Sequence, residues 1–123
     1  MLKYAVVRRI PRTHEALRFI DHWAVCAVAR SRKEVEVLGH QLLRSGTSVA
    51  AHTREASRAR SDAEFCSKID GALQEADESQ LWIELLREDC GISGEKVDVL
   101  HSETNELIAI LVTMARRTRR SAK

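Results

Sequence analysis

The sequence has little that interrupts a helix. Its 123 residues include one proline, Pro11, and five glycines. Aromatic residues make up only 4% of the chain. The three cysteines, Cys26, Cys66 and Cys90, are odd in number, far apart and without a Cys-x-x-Cys pair. That argues against a disulfide framework or a zinc knuckle and for a reducing, cytoplasmic setting. No apolar run approaches the ~20 residues of a membrane span, so no membrane partner is expected. Residues 1–11 interleave charges with Val6, Val7 and Ile10, unlike a signal peptide. Strand-like alternation is missing as well.

What remains is 44% hydrophobic and 31% charged, the balance of a soluble, all-helical domain. The length fits a single domain, residues 1–123, that buries roughly two thirds of its unfolded surface. Pro11 discourages a helix through Ile10, so residues 1–11 read as an irregular arm. Apolar residues then recur at spacings of three and four. Ala16, Phe19, Ile20, Trp23, Ala27 and Val28 mark a first helix, about 13–30, with Thr13 as a cap. Val35, Leu38, Leu42, Val49, Thr53 and Ala56 mark a second, about 32–59, opened by Ser31 and Glu34 as a capping box. Ser61 and Glu64 form another box, before Phe65, Ile69, Ala72, Leu73, Ala76, Ile83 and Leu86 in a third helix, about 61–90. A turn at 91–94 leads to Val97, Leu100, Leu107, Ile108, Leu111 and Met114 in a fourth, about 95–118, and residues 119–123 are expected to fray. Short connections make the helices antiparallel neighbours, an up-down four-helix bundle.

Ser45, Gly46, Thr47 and Ser48 are poor helix formers in the middle of the second helix. The apolar stripe passes through them without losing phase. Gly46 costs roughly 1 kcal/mol in a helix interior, which tertiary packing can exceed, so the stretch reads as helix. Ser45, Gly46, Ser48, Ala50 and Ala51 form a thin face where a second backbone can approach. Their hydroxyls can bond carbonyls one turn back.

Charge is distributed in blocks behind a net of +2. Residues 1–60 carry twelve Lys/Arg against five Asp/Glu, residues 61–111 three against thirteen, and residues 112–123 five against none. Blocks of one sign suit either a partner surface or complementary packing of helices and subunits.

The stretch "QLLRSGTSVAAHTREASRARSDAEFCSKIDGALQEADESQLWIELLRE" resembles the four-helix-bundle family of 23S rRNA-intervening sequence proteins. That family's pattern runs roughly Leu-Leu-Arg-Ser-Gly-Thr-Ser-Ile/Val-Gly-Ala-Asn-x-x-Glu-Ala. A Lys/Asp-Phe step, a Leu/Ala-x-Glu-Ala-x-Glu-Thr segment and Tyr/Trp-Trp-Leu follow it. Residues 42–48, Glu55, Ala56, Phe65, Lys68, Ala72, Glu75, Ala76, Glu78, Trp82 and Leu85 match. The last helix fits loosely, and the first agrees only in length and apolarity. Ala50 stands where the family usually has Gly, and His52 where it has Asn; both bulk up the small face. The family includes the accessory variability protein of diversity-generating retroelements. The resemblance therefore implies a homopentamer, possible RNA or DNA binding, and a reverse transcriptase as a possible protein partner. It implies no catalytic residue and no cofactor.

No motif supplies the constellation an enzyme needs. A di-iron bundle requires Glu-x-x-His on two helices, and the nearest approach is Asp98 with His101, once. Ser45 to Ser48 resembles a phosphate loop in composition only, since no Gly-Lys-Ser/Thr follows. Glu75, Asp77 and Glu78 read as a solvated or intersubunit face rather than an acid–base pair. Trp23 and Trp82 read as core or interface anchors. The arginines carry the functional signal: Arg54, Arg58 and Arg60 near the end of the second helix, and Arg116, Arg117, Arg119 and Arg120 at the end of the fourth. A planar guanidinium binds two phosphate oxygens at once. The structural alternative is complementation of a helix C-terminus. Ser45, Gly46, Ser48, Ala50 and Trp82 are the candidate packing or oligomer contacts. The expectation is a non-enzymatic, metal-free oligomer that binds structured RNA or another nucleic acid, or else an adaptor for a protein partner.

Overall fold

The computed structural model describes residues 33–92 and 94–121. The expected arm (1–11), the expected first helix (13–30) and the Ser31 cap lie outside them. The described residues form three helices and no strand: α1 (Lys33–Ser57), α2 (Asp62–Glu88) and α3 (Glu95–Ser121). None is long and apolar enough to cross a membrane.

Each helix forms where its stripe and caps predict. α1 runs unbroken through the Ser-Gly-Thr-Ser stretch. Ser61 is extended (φ −148°) and accepts a hydrogen bond from the Glu64 amide at 3.1 Å, starting α2. The box closes one residue early, because Glu64 accepts from the Arg60 amide at 3.0 Å rather than from Ser61. At the far end of α2 the chain reverses through Gly91, whose φ of 69° is costly for other residues, and the Ile92 amide bonds the Leu86 carbonyl.

α2 is the central element and packs along both neighbours, which run antiparallel to it. Two apolar clusters result. Val49, Ala56, Phe65, Ile69, Ala72, Leu111 and Met114 fill one end. Val35, Leu42, Ile83, Leu86, Val97 and Leu100 fill the other, with Trp82 half-buried against them. Between the clusters lies a polar layer. Ser45 and Ser79 are both buried, with hydroxyls 2.7 Å apart across the α1–α2 contact. Each also reaches a carbonyl of its own helix, Ser45 that of Leu42 at 3.2 Å and Ser79 that of Glu75 at 2.8 Å. Two hydrogens thus have three acceptor positions to serve, and none of the oxygens is stranded.

The small face is narrower than the residue types suggest. Ser45 and Gly46 are buried, Ser48 and Ala50 are half-buried, and Ala51 is exposed. His52 finds room because α2 offers Gly71 opposite it. A Cβ on Gly71 would come within 3.1 Å of the imidazole.

Polar pairs hold both contacts in constant register. Between α1 and α2, Arg44 forks onto Glu75 at 3.4 Å and Glu78 at 3.1 Å, and Lys68 meets Glu55 at 2.7 Å. Between α2 and α3 the rungs are Arg87–Asp98, Glu84–His101 and Gln80–Asn105. Glu75 and Glu78, expected on a solvated or intersubunit face, are paired with this chain's own Arg44. The tail is corrected: α3 continues to Ser121 instead of fraying from residue 119. Met114 and Ala115 are buried, Arg119 pairs with Asp70 of α2, and the Ser121 hydroxyl bonds the Arg117 carbonyl.

Two outcomes follow from these contacts. Ser45→Ala and Ser79→Ala should each cost about 1 kcal/mol. The double variant should cost less than their sum by about 0.5 kcal/mol or more. Denaturant melts of the four proteins measure this, and strict additivity would mean that the hydroxyl contact does not join the helices. The second outcome concerns acid. The hydrogen bond and charge of Lys68 hold the Glu55 carboxyl below its ordinary value, and the Arg60 amide does the same for Glu64. A lowered carboxylate contributes stability that is present above its ordinary titration range and lost as pH falls through the lowered value. Glu55→Gln should flatten the acid side of a melting temperature–pH profile, and an unchanged profile would remove Glu55 from this role.

Candidate nucleic-acid interface

The antiparallel order places the C-termini of α1 and α3 and the N-terminus of α2 at one end of the molecule. Ala56 of α1, Phe65 of α2 and Met114 of α3 share one cluster there, and Arg119 of α3 reaches Asp70 of α2. Both groups of candidate arginines therefore lie at the same end, although 56 residues or more separate Arg60 from Arg116 in the chain.

All seven are exposed, but they are not equivalent. Arg60 lies on the α1–α2 link, paired with Glu64 at 3.6 Å. Arg119 is paired with Asp70. Arg54 lies in the last turn of α1 and Arg58 just beyond its end, and Arg116, Arg117 and Arg120 project from the last turns of α3. Among the described residues these five guanidinium groups make no ion pair. Lys68, also at this end, is engaged by Glu55, whose hydrogen bond raises its pKa.

The opposite end has the other sign. Residues 84–98 hold Glu84, Glu88, Asp89, Glu95 and Asp98 against Arg87 and Lys96. The three described helices are thus polarised in charge along their length.

The other expected positions serve packing. Ser45 sits in the α1–α2 contact, Gly46 is buried, Ser48 and Ala50 are half-buried, and Trp82 packs against the apolar cluster of the acidic end. The Trp82 indole N–H and His52 Nδ1 are buried without a hydrogen-bond partner among the described residues. Asp98 and His101 do not converge: the first meets Arg87 and the second Glu84 at 2.9 Å. No group of three His, Cys, Asp or Glu among the described residues is placed to hold a metal ion. Cys66 and Cys90 form no disulfide among the described residues, and Cys66 is buried. The charge pattern identified the arginines, but it did not single out Arg44, Ser79 or Asp70. The first two were visible only as parts of the Arg-Ser-Gly and Glu-Ala-x-Glu-Ser segments, which face each other across the α1–α2 contact. Nothing in the sequence marked Asp70.

No curated protein matches the chain. Among solved structures it is similar to a protein of unknown function from the S23 ribosomal protein family of Bacteroides thetaiotaomicron, determined at 1.70 Å resolution. The two are 30% identical, with a TM-score of 0.79, over 94% of this chain and 99% of that one. The model of one protein family matches residues 14–113. By that match, which spans most of its length, the chain belongs to the 23S rRNA-intervening sequence protein family.

Proposed function

We propose that this protein is a non-enzymatic, cytoplasmic helical bundle that assembles as a homopentamer and binds structured RNA or another nucleic acid through its arginine-rich end. The observation that carries the reading is the set of five exposed arginines that make no ion pair among the described residues: Arg54, Arg58, Arg116, Arg117 and Arg120. Arginine forks suit phosphate oxygens. Aromatic residues are few and none stands among these arginines in sequence, so the contact is with the backbone rather than with stacked bases. In the proposed architecture residues 13–30 supply a fourth helix to the bundle. The family match beginning at residue 14 and the near-complete overlap with the solved relative support this.

The acidic opposite end favours a second reading, in which the oligomer is an adaptor for a basic protein partner such as a retroelement reverse transcriptase. Repetition separates the two in effect. A basic end presented several times on one assembly multiplies phosphate contacts, and each releases condensed counterions.

Light scattering at micromolar concentration should return a pentameric mass, and a monomer at all concentrations would remove the argument from repetition. Titration of a labelled RNA hairpin should give binding that weakens steeply between about 50 and 200 mM salt. Replacing Arg116, Arg117, Arg119 and Arg120 with Gln should lower affinity and flatten the salt slope by about three, with the oligomer intact. If the parent does not bind at low salt, or the variant keeps its slope, the arginines are a solvated helix end and the adaptor reading leads.

A further inference from the structure

Resting on the nucleic-acid reading above, we infer that Asp70 is an internal competitor for phosphate, occupying Arg119 and so setting how tightly the basic end holds a nucleic-acid backbone. Glu64, Glu55 and Asp70, all paired with cations at this end, differ in what they do. Glu64 caps the start of α2 through the Arg60 amide, so its link to Arg60 is local to one turn. Glu55 joins α1 to α2 through Lys68. Asp70 reaches into the α3 run, taking one arginine out of a series whose other members, Arg116, Arg117 and Arg120, make no ion pair among the described residues.

The pair is built to exchange. Arg119 and Asp70 are 53% and 48% exposed, so neither is desolvated and their attraction is weak. A phosphate arriving beside Arg116 and Arg120 carries the same charge as the Asp70 carboxylate and offers the same two-oxygen geometry to the guanidinium. Arg119 can pass from one to the other by a side-chain rotation. The Asp70 charge left behind then repels the incoming backbone, so the carboxylate opposes binding both before and after the exchange.

The test uses two variants with the same net charge. Asp70→Asn and Asp77→Asn each remove one exposed acid from α2, but among the described residues Asp77 forms no ion pair, whereas Asp70 holds Arg119. With a labelled RNA hairpin, Asp70→Asn should bind several-fold more tightly than the parent with the parent's salt slope, since Arg119 meets a phosphate in both but no carboxylate competes in the variant. Asp77→Asn should show a smaller gain and the parent slope. As a second measurement, Arg119→Gln should weaken parent binding less than Arg116→Gln does, and should abolish the gain in the Asp70→Asn background. Equal gains from Asp70→Asn and Asp77→Asn, or equal losses from Arg119→Gln and Arg116→Gln, overturn the role of Asp70 while binding itself stands. If parent and Asp70→Asn both fail to bind at low salt, the nucleic-acid reading is what has failed, and the role of Asp70 falls with it.

Discussion

The contact between the hydroxyls of Ser45 and Ser79 is the constraint on which the rest of the α1–α2 arrangement depends. A hydroxyl pair at 2.7 Å brings two helices closer than pairs of larger side chains allow, and it accepts no slip along the axis. A shift by one turn would set Ser45 against Glu75 or Ile83 and leave a buried hydroxyl unpaired, at a cost of about 1–3 kcal/mol. With that register in place, Arg44 falls between Glu75 and Glu78, His52 over Gly71, and Lys68 beside Glu55. Individually the exposed ion pairs contribute little. Together they agree on one alignment, and that agreement excludes the alternatives available to any pair of amphipathic helices.

Charge follows from the same alignment. Blocks of sign along a sequence have no direction until the chain folds back. Here α2 returns α1's course and α3 returns α2's, so two basic C-terminal segments arrive beside one another in space. The acids of the other turn, around Gly91, collect opposite. A fold of the same helices with a long crossover would have mixed the two signs.

Sequence patterning made the helices legible. The stripe of Val35, Leu42, Val49 and Ala56 kept its phase across Ser45 and Gly46, and that phase located α1 where residue propensities pointed to a loop. The buried faces of α2 and α3 followed in the same way. Polar members of the core were not legible: Ser79 and Thr104 lie on the buried faces, but a period-3.6 count of apolar residues passes over them. The end of α3 is not legible either, because local sequence suggests fraying whereas the Arg119–Asp70 contact joins residues 49 positions apart. The basic site was legible as a composition, whereas its division into engaged and unengaged arginines was not. Which acid reaches which cation depends on side-chain reach across helix contacts, and one-dimensional charge counts cannot carry that.

Helix electrostatics bound how many of these arginines the fold itself needs. The C-termini of α1 and α3 each present roughly half a negative charge at the basic end, and the N-terminus of α2 roughly half a positive one. Asp62 and Glu64 in the first turn of α2 answer the latter. What the two C-termini call for is about one positive charge, and Arg54 in the last turn of α1 with Arg119 and Arg120 in the last turn of α3 already exceeds it. Arg58, Arg116 and Arg117 add charge of one sign to an end that the macrodipoles no longer draw it to. Mutual repulsion among them lowers stability in the isolated molecule, and an anion bridging them would reverse that. The surplus of cations over what helix termination requires is therefore the physical reason to look for a polyanion at this end of the bundle.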